Sequence, residues 1–212
     1  MIGGMFRDRT DAGERLAERL LGRVHEPVTV LGVPRGGVIV AVPVARRLGA
    51  ALDVVVPRKV RAPGNPELGV GAVAPGVEVL DEDVIARLRI DPAYLAREIA
   101  FEHDEVDRRT TAYRGDRPPP TLEGRTAIVV DDGVATGGTA TAALRWARNA
   151  GAPRLLFAAP VGPASTVARL LRDADEVVVV EAPRTFRAVG EWYETFDQTT
   201  DEEVRAALAA MP

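Results

Sequence analysis

The sequence predicts an α/β protein built on a parallel sheet flanked by helices. Three observations carry that prediction. Short apolar runs alternate with amphipathic stretches of helical period, and the runs themselves are continuous, as strands covered on both faces require. One of them, from Thr126, ends in two adjacent acids and a glycine-threonine turn, VVDDGVATGGT, which fits the carboxyl end of a strand leading into a helix.

The elements follow in order. Asp11 to Leu21 carries Ala12, Leu16, Ala17, Leu20 and Leu21 at helical spacing, with Thr10 or Asp11 as the cap. Val28 to Val33 predicts a buried strand that runs into PRGG at Pro34 to Gly37, and VIVAVPVARRLG predicts a helix ending at Gly49 with Pro43 inside it. Leu52 to Val56 is a second strand, followed by the charged, kinked stretch PRKVRAPGNPELG. Val70 to Val73 and Val77 to Leu80, on either side of Ala74, Pro75 and Gly76, predict a short antiparallel hairpin. Two helices come next, Asp81 to Arg89 and Asp91 to Tyr113; the second has Asp91 as cap, Pro92 at its first position and Leu95, Ile99, Val106 and Tyr113 along one face.

RGDRPPPTLEGR breaks the pattern as a linker. After it, strand Thr126 to Val130, helix Thr139 to Asn149, strand Leu155 to Ala159, helix Ser165 to Arg172 and strand Glu176 to Val180 alternate as crossover units do. The remainder is rich in aromatics and then helical, with Thr200 as a cap.

With 212 residues, 46% of them hydrophobic, the chain is expected to form a single domain, residues 1–212. The absence of cysteine excludes disulfides, thiolate metal sites and cysteine nucleophiles, and His25 and His103 are too few and too far apart for a multi-histidine centre. No apolar run approaches a membrane span and the N-terminal segment mixes acids with bases, so a cytoplasmic protein is expected, with no membrane partner. A formal charge of -4 argues against a globally basic nucleic-acid binder. Of the 27 basic residues only Lys59 is lysine, a compact point charge in a chain that otherwise uses the planar arginine fork.

Ala135 to Thr139 (ATGGT) at a strand-to-helix turn offers backbone N–H groups and hydroxyls to a phosphate monoester. It is no Walker loop, because Thr139 stands where the lysine should follow Gly138. Gly69 to Ala74 matches a bare dinucleotide glycine pattern, but Pro75 and Gly76 follow it instead of a helix. Asp131 and Asp132 would repel a plain phosphate; they suit a vicinal diol beside it, and a hydrated Mg²⁺.

VVDDGVATGGTA resembles the phosphoribosyl pyrophosphate signature of the type I phosphoribosyltransferases. The resemblance implies a core over about 28–180, a helical insertion over about 81–120, and a variable hood made by the N-terminal segment and about 181–212. It implies that Asp131 and Asp132 bind the ribose hydroxyls, directly or through waters on Mg²⁺, and that Ala135, Thr136, Gly137, Gly138 and Thr139 hold the 5′-phosphate. It also implies that Arg35, Gly36 and Gly37 of GVPRGGV, together with Arg58 and Lys59, meet the pyrophosphate. Arg61 to Leu80 matches the family's flexible loop, and Glu67 within it is the candidate for handling a proton.

The expected activity is Mg²⁺-dependent transfer of 5-phosphoribosyl to a nitrogen heterocycle; the partners are phosphoribosyl pyrophosphate and that base, with a homodimer compatible. Base contacts would come from the hood, with Trp192 first and Phe186, Tyr193 and Phe196 beside it; Trp146 is expected in the core. The base stays open: ATGGT and Arg58-Lys59 resemble adenine enzymes, whereas PRGG resembles xanthine-guanine ones. The alternative is a regulatory protein that keeps the fold to sense the same ligand.

Overall fold

Apolar runs that must satisfy their backbone away from water pair into a five-stranded, all-parallel sheet in the computed structural model, which describes residues 5–24 and 27–211. His25 lies outside the described residues. In chain order α1 (Arg9–Leu20) is followed by β1 (Val28–Gly32), α2 (Gly36–Leu48) and β2 (Ala51–Val54). Then come β3 (Arg58–Ala62), β4 (Asn65–Ala74), β5 (Val77–Leu80), α3 (Glu82–Leu88) and α4 (Pro92–Arg114). The chain closes with β6 (Thr126–Val130), α5 (Gly138–Asn149), β7 (Arg154–Val161), α6 (Ala164–Leu170), β8 (Glu176–Glu181), a 3-10 turn (Val189–Trp192) and α7 (Asp201–Ala209).

The parallel sheet has the order β2-β1-β6-β7-β8. Successive side chains alternate faces, so Val30, Ile128, Val130, Leu156 and Ala158 pack with α1, α2 and α7 in one core, while Leu31, Ala127, Val129, Leu155 and Phe157 pack with α5 and α6 in the other. Trp146 is half-buried on α5, as core packing requires, between the second of these cores and a smaller cluster around Ala72 and Ala74.

The helices α1, α3, α4 and α7 start where a side chain meets their free N–H groups. Asp8, instead of Thr10 or Asp11, caps α1 by accepting from Asp11 N–H at 2.8 Å; the Asp11 carboxylate is engaged by Arg7 and Arg15. Asp81 and Asp91 cap α3 and α4, and Thr200 caps α7 in a reciprocal box with Glu203. Pro43 is accommodated inside α2, where α1 crosses so closely that a Cβ on Gly13 would lie 2.4 Å from the Pro43 ring.

The main departure from expectation lies between β2 and α3. The stretch expected as a kinked, flexible loop with a short hairpin is a three-stranded antiparallel sheet, β3-β4-β5. Gly64, with φ +71°, makes the first turn, and Pro66 is tolerated because the β3–β4 register skips from Arg61↔Gly69 to Ala62↔Asn65 around it. One face of this sheet (Val60, Ala62, Val70, Val73) is covered by Ile90 and Val106 of the α3–α4 segment; the other meets α5 through Ala72, Ala74 and Ala142.

The α4 helix is fastened at three places. Arg114 Nε donates to Asp53 at 3.2 Å, and Tyr113 donates to Asp201 at 2.6 Å, a bond that with burial pushes the phenol up to about 12. The third is Glu102, with a fully buried side chain: Arg58 Nε donates to it at 2.7 Å, and Arg61 Nη2 donates to its other oxygen while Arg61 Nε reaches Glu98 at 3.1 Å.

The burial is lopsided, because Arg58 and Arg61 keep 25% and 33% of their side chains exposed. Removing both arginines therefore strands a buried carboxylate, whereas removing the carboxylate leaves two cations that water can reach. In chemical denaturation, Arg58→Met with Arg61→Met is expected to lose about 3–5 kcal/mol, and Glu102→Gln clearly less; the reverse ranking would show that the arginines, not Glu102, hold the insertion down.

Candidate active site

The strand order reverses between β1 and β6: from β1 the chain moves outward to β2, and from β6 it moves the other way to β7. Loops leaving the carboxyl ends of two such strands diverge and open a crevice. Gly32 pairs with Val130, which brings the two ends level, and Val33 N–H donates to Val130 O at 2.8 Å. The PRGG turn and the acid pair therefore face each other although almost a hundred positions separate them.

Contact between the two is close. A Cβ on Gly36 would lie 1.9 Å from Asp132 Oδ2, and one on Gly37 would lie 2.8 Å from Asp131 Cα, so only glycine fits at either position. The peptide between Pro34 and Arg35 is cis. Asp131 Oδ1 accepts from the backbone N–H of Asp132 at 2.9 Å, and Asp132 Oδ2 accepts from Arg9 Nε at 2.8 Å. Burial and the neighbouring Asp132 carboxylate hold the Asp131 carboxyl well above the usual carboxylate range; burial also raises Asp132, against the opposing pull of Arg9.

Ala135 to Thr139 forms the turn into α5. Gly137 takes φ +77° as the N-cap residue, and the first-turn N–H groups of this helix have no intrahelical acceptor, so they suit an oxyanion. The turn is braced from α6: Thr166 Oγ1 donates to Ala135 O at 2.6 Å, and Arg169 Nη2 donates to Thr136 O. Ala135 and Thr136 remain exposed.

The structure divides the predicted pyrophosphate set. Arg35 stands at the start of α2 with Nη1 3.7 Å from Asp201. Opposed residues on antiparallel strands share a face, so Lys59, opposite Ala72, lies on the α5 side of the small sheet, while Arg58, opposite Val73, lies on the α4 side and is engaged by Glu102. Lys59 Nζ donates to Glu67 O at 3.2 Å, and its stem crosses Gly69, where a Cβ would meet it at 3.0 Å. Glu67 is exposed on β4, in a strand and not in an irregular loop.

The aromatics of the last segment are joined to the N-terminal one. Phe6 is fully buried and bridges in parallel to Tyr193, with Phe6 N–H donating to Trp192 O and Glu194 N–H to Phe6 O, each at 2.8 Å. Tyr193 is buried; its hydroxyl donates to Asp132 O at 2.5 Å, so it shapes the acid pair from below. Trp192 and Phe186 are half-buried in the same cluster, and Phe196 is exposed with its ring 4.8 Å from that of Tyr193.

Sequence reasoning missed Arg9, Glu102, Thr166 and Arg169. The first two act across long sequence separations with no motif to mark them. Thr166 and Arg169 sit one turn apart on a helix whose other contacts are apolar, a weak signal in itself.

Among the described residues no group of three or more His, Asp or Glu side chains could hold a metal ion outright. The acid pair fits Mg²⁺ through water: it supplies hard oxygen donors, and two carboxylates face a single guanidinium.

Residues 7–194 match the phosphoribosyl transferase domain family. Proteins from two strains of Mycobacterium tuberculosis, each provisionally named a phosphoribosyl transferase, are 46% identical over 205 residues, covering 96% of this chain and 46% of theirs. The chain thus spans about half the length of these curated relatives. The crystal structure of TT1426 from Thermus thermophilus matches with a TM-score of 0.82 at 46% identity, covering 98% of this chain and 99% of that one.

The raised Asp131 carboxyl sets a pH dependence. A folded value above the unfolded one contributes stability at low pH that is lost as pH climbs from the ordinary carboxylate range through the raised value. Asn keeps the oxygen that accepts from Asp132 N–H and carries no charge to bury. Asp131→Asn is therefore expected to melt above the parent at about pH 8, with the two converging near about pH 4; a constant offset across that range would show that Asp131 charge is not what burial penalises.

Proposed function

Because the chain belongs to the phosphoribosyl transferase domain family, we propose that it transfers 5-phosphoribosyl from phosphoribosyl pyrophosphate to a ring nitrogen of a heterocycle, with Mg²⁺ and release of pyrophosphate. The observation that carries this reading is the placement of Asp131 and Asp132 at the reversal of strand order, between the PRGG turn and the ATGGT turn. A ligand with hydroxyls in its middle and phosphates at both ends matches that sequence of donors and acceptors.

In this reading the C1–N bond forms as the bond from C1 to the pyrophosphate oxygen breaks, and that oxygen keeps the electron pair. The ring nitrogen gives up its proton to Glu67 or to water. Asp131 and Asp132 fix the ribose through its hydroxyls, and the N-terminus of α5 holds the 5′-phosphate against sliding. Arg35, the Gly36 and Gly37 backbone and Lys59 face the charge that grows on the leaving group, the largest electrostatic demand of such a step. Mg²⁺ would neutralise part of the same charge. Arg58 is assigned to anchoring β3 through Glu102, which leaves Lys59 as the β3 cation available to substrate.

The test is a screen of purines, pyrimidines and other nitrogen heterocycles for pyrophosphate release. Turnover with at least one acceptor, abolished in Asp131→Asn with Asp132→Asn while the circular dichroism spectrum is unchanged, is the expected result. Binding of phosphoribosyl pyrophosphate without release in every case would instead favour a ligand-sensing protein. Lys59→Ala is expected to lower kcat more than it weakens substrate binding, by about 2–4 kcal/mol of transition-state stabilisation; unchanged constants would remove Lys59 from the reaction.

A further inference from the structure

Arg9 opens α1 in a segment to which no motif assigns a role, and the fold carries it into the centre of the site. Three contacts seat its guanidinium. Nε donates to Asp132 Oδ2 at 2.8 Å, Nη1 donates to Asp197 O at 2.7 Å, and the guanidinium carbon stands 4.0 Å over the Phe196 ring. The side chain is only 13% exposed, so these contacts hold it out of water. Gly36 completes the enclosure: a Cβ there would meet both Asp132 Oδ2 at 1.9 Å and Arg9 Nε at 2.5 Å.

Guanidinium is charged at every accessible pH. Arg9 therefore places a permanent cation on the carboxylate oxygen that a hydrated divalent ion would otherwise approach. Among the described residues the Asp131 carboxylate accepts one hydrogen bond, from the backbone N–H of Asp132, and it too feels the Arg9 charge. Asp197 and Phe196 belong to the segment between the 3-10 turn and α7, so the same side chain ties the acid pair to that segment.

We propose that Arg9 is a positioning residue, a resident counter-ion that keeps divalent metal from settling on Asp131 and Asp132 in the empty site. The metal then enters only with the pyrophosphate-bearing substrate, which brings phosphate oxygens to hold it. The inference rests on the acid pair being the ribose and metal site.

Mn²⁺ alone, counted by electron paramagnetic resonance, tests it without turnover. The parent is expected to bind Mn²⁺ weakly without substrate and tightly once phosphoribosyl pyrophosphate is added. Arg9→Gln should bind Mn²⁺ alone about tenfold tighter than the parent, and Arg9→Gln with Asp132→Asn should return to the weak parent value. Equal Mn²⁺ affinity in parent and Arg9→Gln would overturn the proposal. So would a parent that binds Mn²⁺ as tightly without substrate as with it, a measurement that stands even where the variant does not fold. Failure of the enzyme reading looks different: no pyrophosphate release with any heterocycle, whatever Mn²⁺ does in the absence of substrate.

Discussion

Two carboxylates side by side at the end of a central strand cost free energy, and much of this molecule is arranged around that fact. Burial holds protons on both more tightly than water would, and at Asp131 the neighbouring Asp132 charge adds to it. A chain selected for stability alone would not keep such a pair there. Its neighbours are specialised: the glycines of the PRGG turn allow backbone contact, Tyr193 holds the Asp132 carbonyl, and Arg9 supplies a cation. The cost makes sense only if a ligand repays it by offering hydroxyls or a cation.

The small antiparallel sheet solves a second problem, which is how to present one cation from a strand that carries three. The β3 strand brings Arg58, Lys59 and Arg61 within four consecutive positions. Alternation separates Lys59 from Arg58, and the register shifts on either side of Arg61 accompany its turn toward α4, so that Glu102 and Glu98 take up both arginines. The α4 helix thus does more than cover apolar residues, because its carboxylates pair with two of the three β3 charges. The pairing also explains why lysine and arginine are not exchangeable along this strand: the planar forks suit Glu102, and the flexible ammonium suits a site facing solvent.

Most of the parallel core was legible because it depends on local pattern. Strand Thr126 to Val130 has the expected bounds, and Gly49 ends α2 in the left-handed conformation that only its position past the last helical residue would suggest. The placement of Asp131, Asp132 and the ATGGT turn between β6 and α5 was legible because it is written in consecutive residues. The β3–β4 hairpin was not, since Pro63, Gly64 and Pro66 signal irregular chain and only the register skip makes Pro66 acceptable. Nor was the Arg58–Glu102 contact legible: beside Lys59, Arg58 looks like half of a pair, and Glu102 lies 44 positions away on a helix. Arg9 was invisible for the same reason, with 123 positions between it and Asp132.

That central pairing has a consequence for how the chain reaches this shape. The central strand β6 and its neighbour β1 are joined by Val28↔Thr126, with β2, the small sheet and α3–α4 all lying between them in the chain. During synthesis β1 can pair with β2 early, but its other edge stays unsatisfied until nearly a hundred further residues have emerged. An apolar strand with one open edge is a template for wrong pairing. The hairpins and α4 can assemble from neighbouring residues in the meantime. They thereby shorten the effective loop that must close before β6 docks.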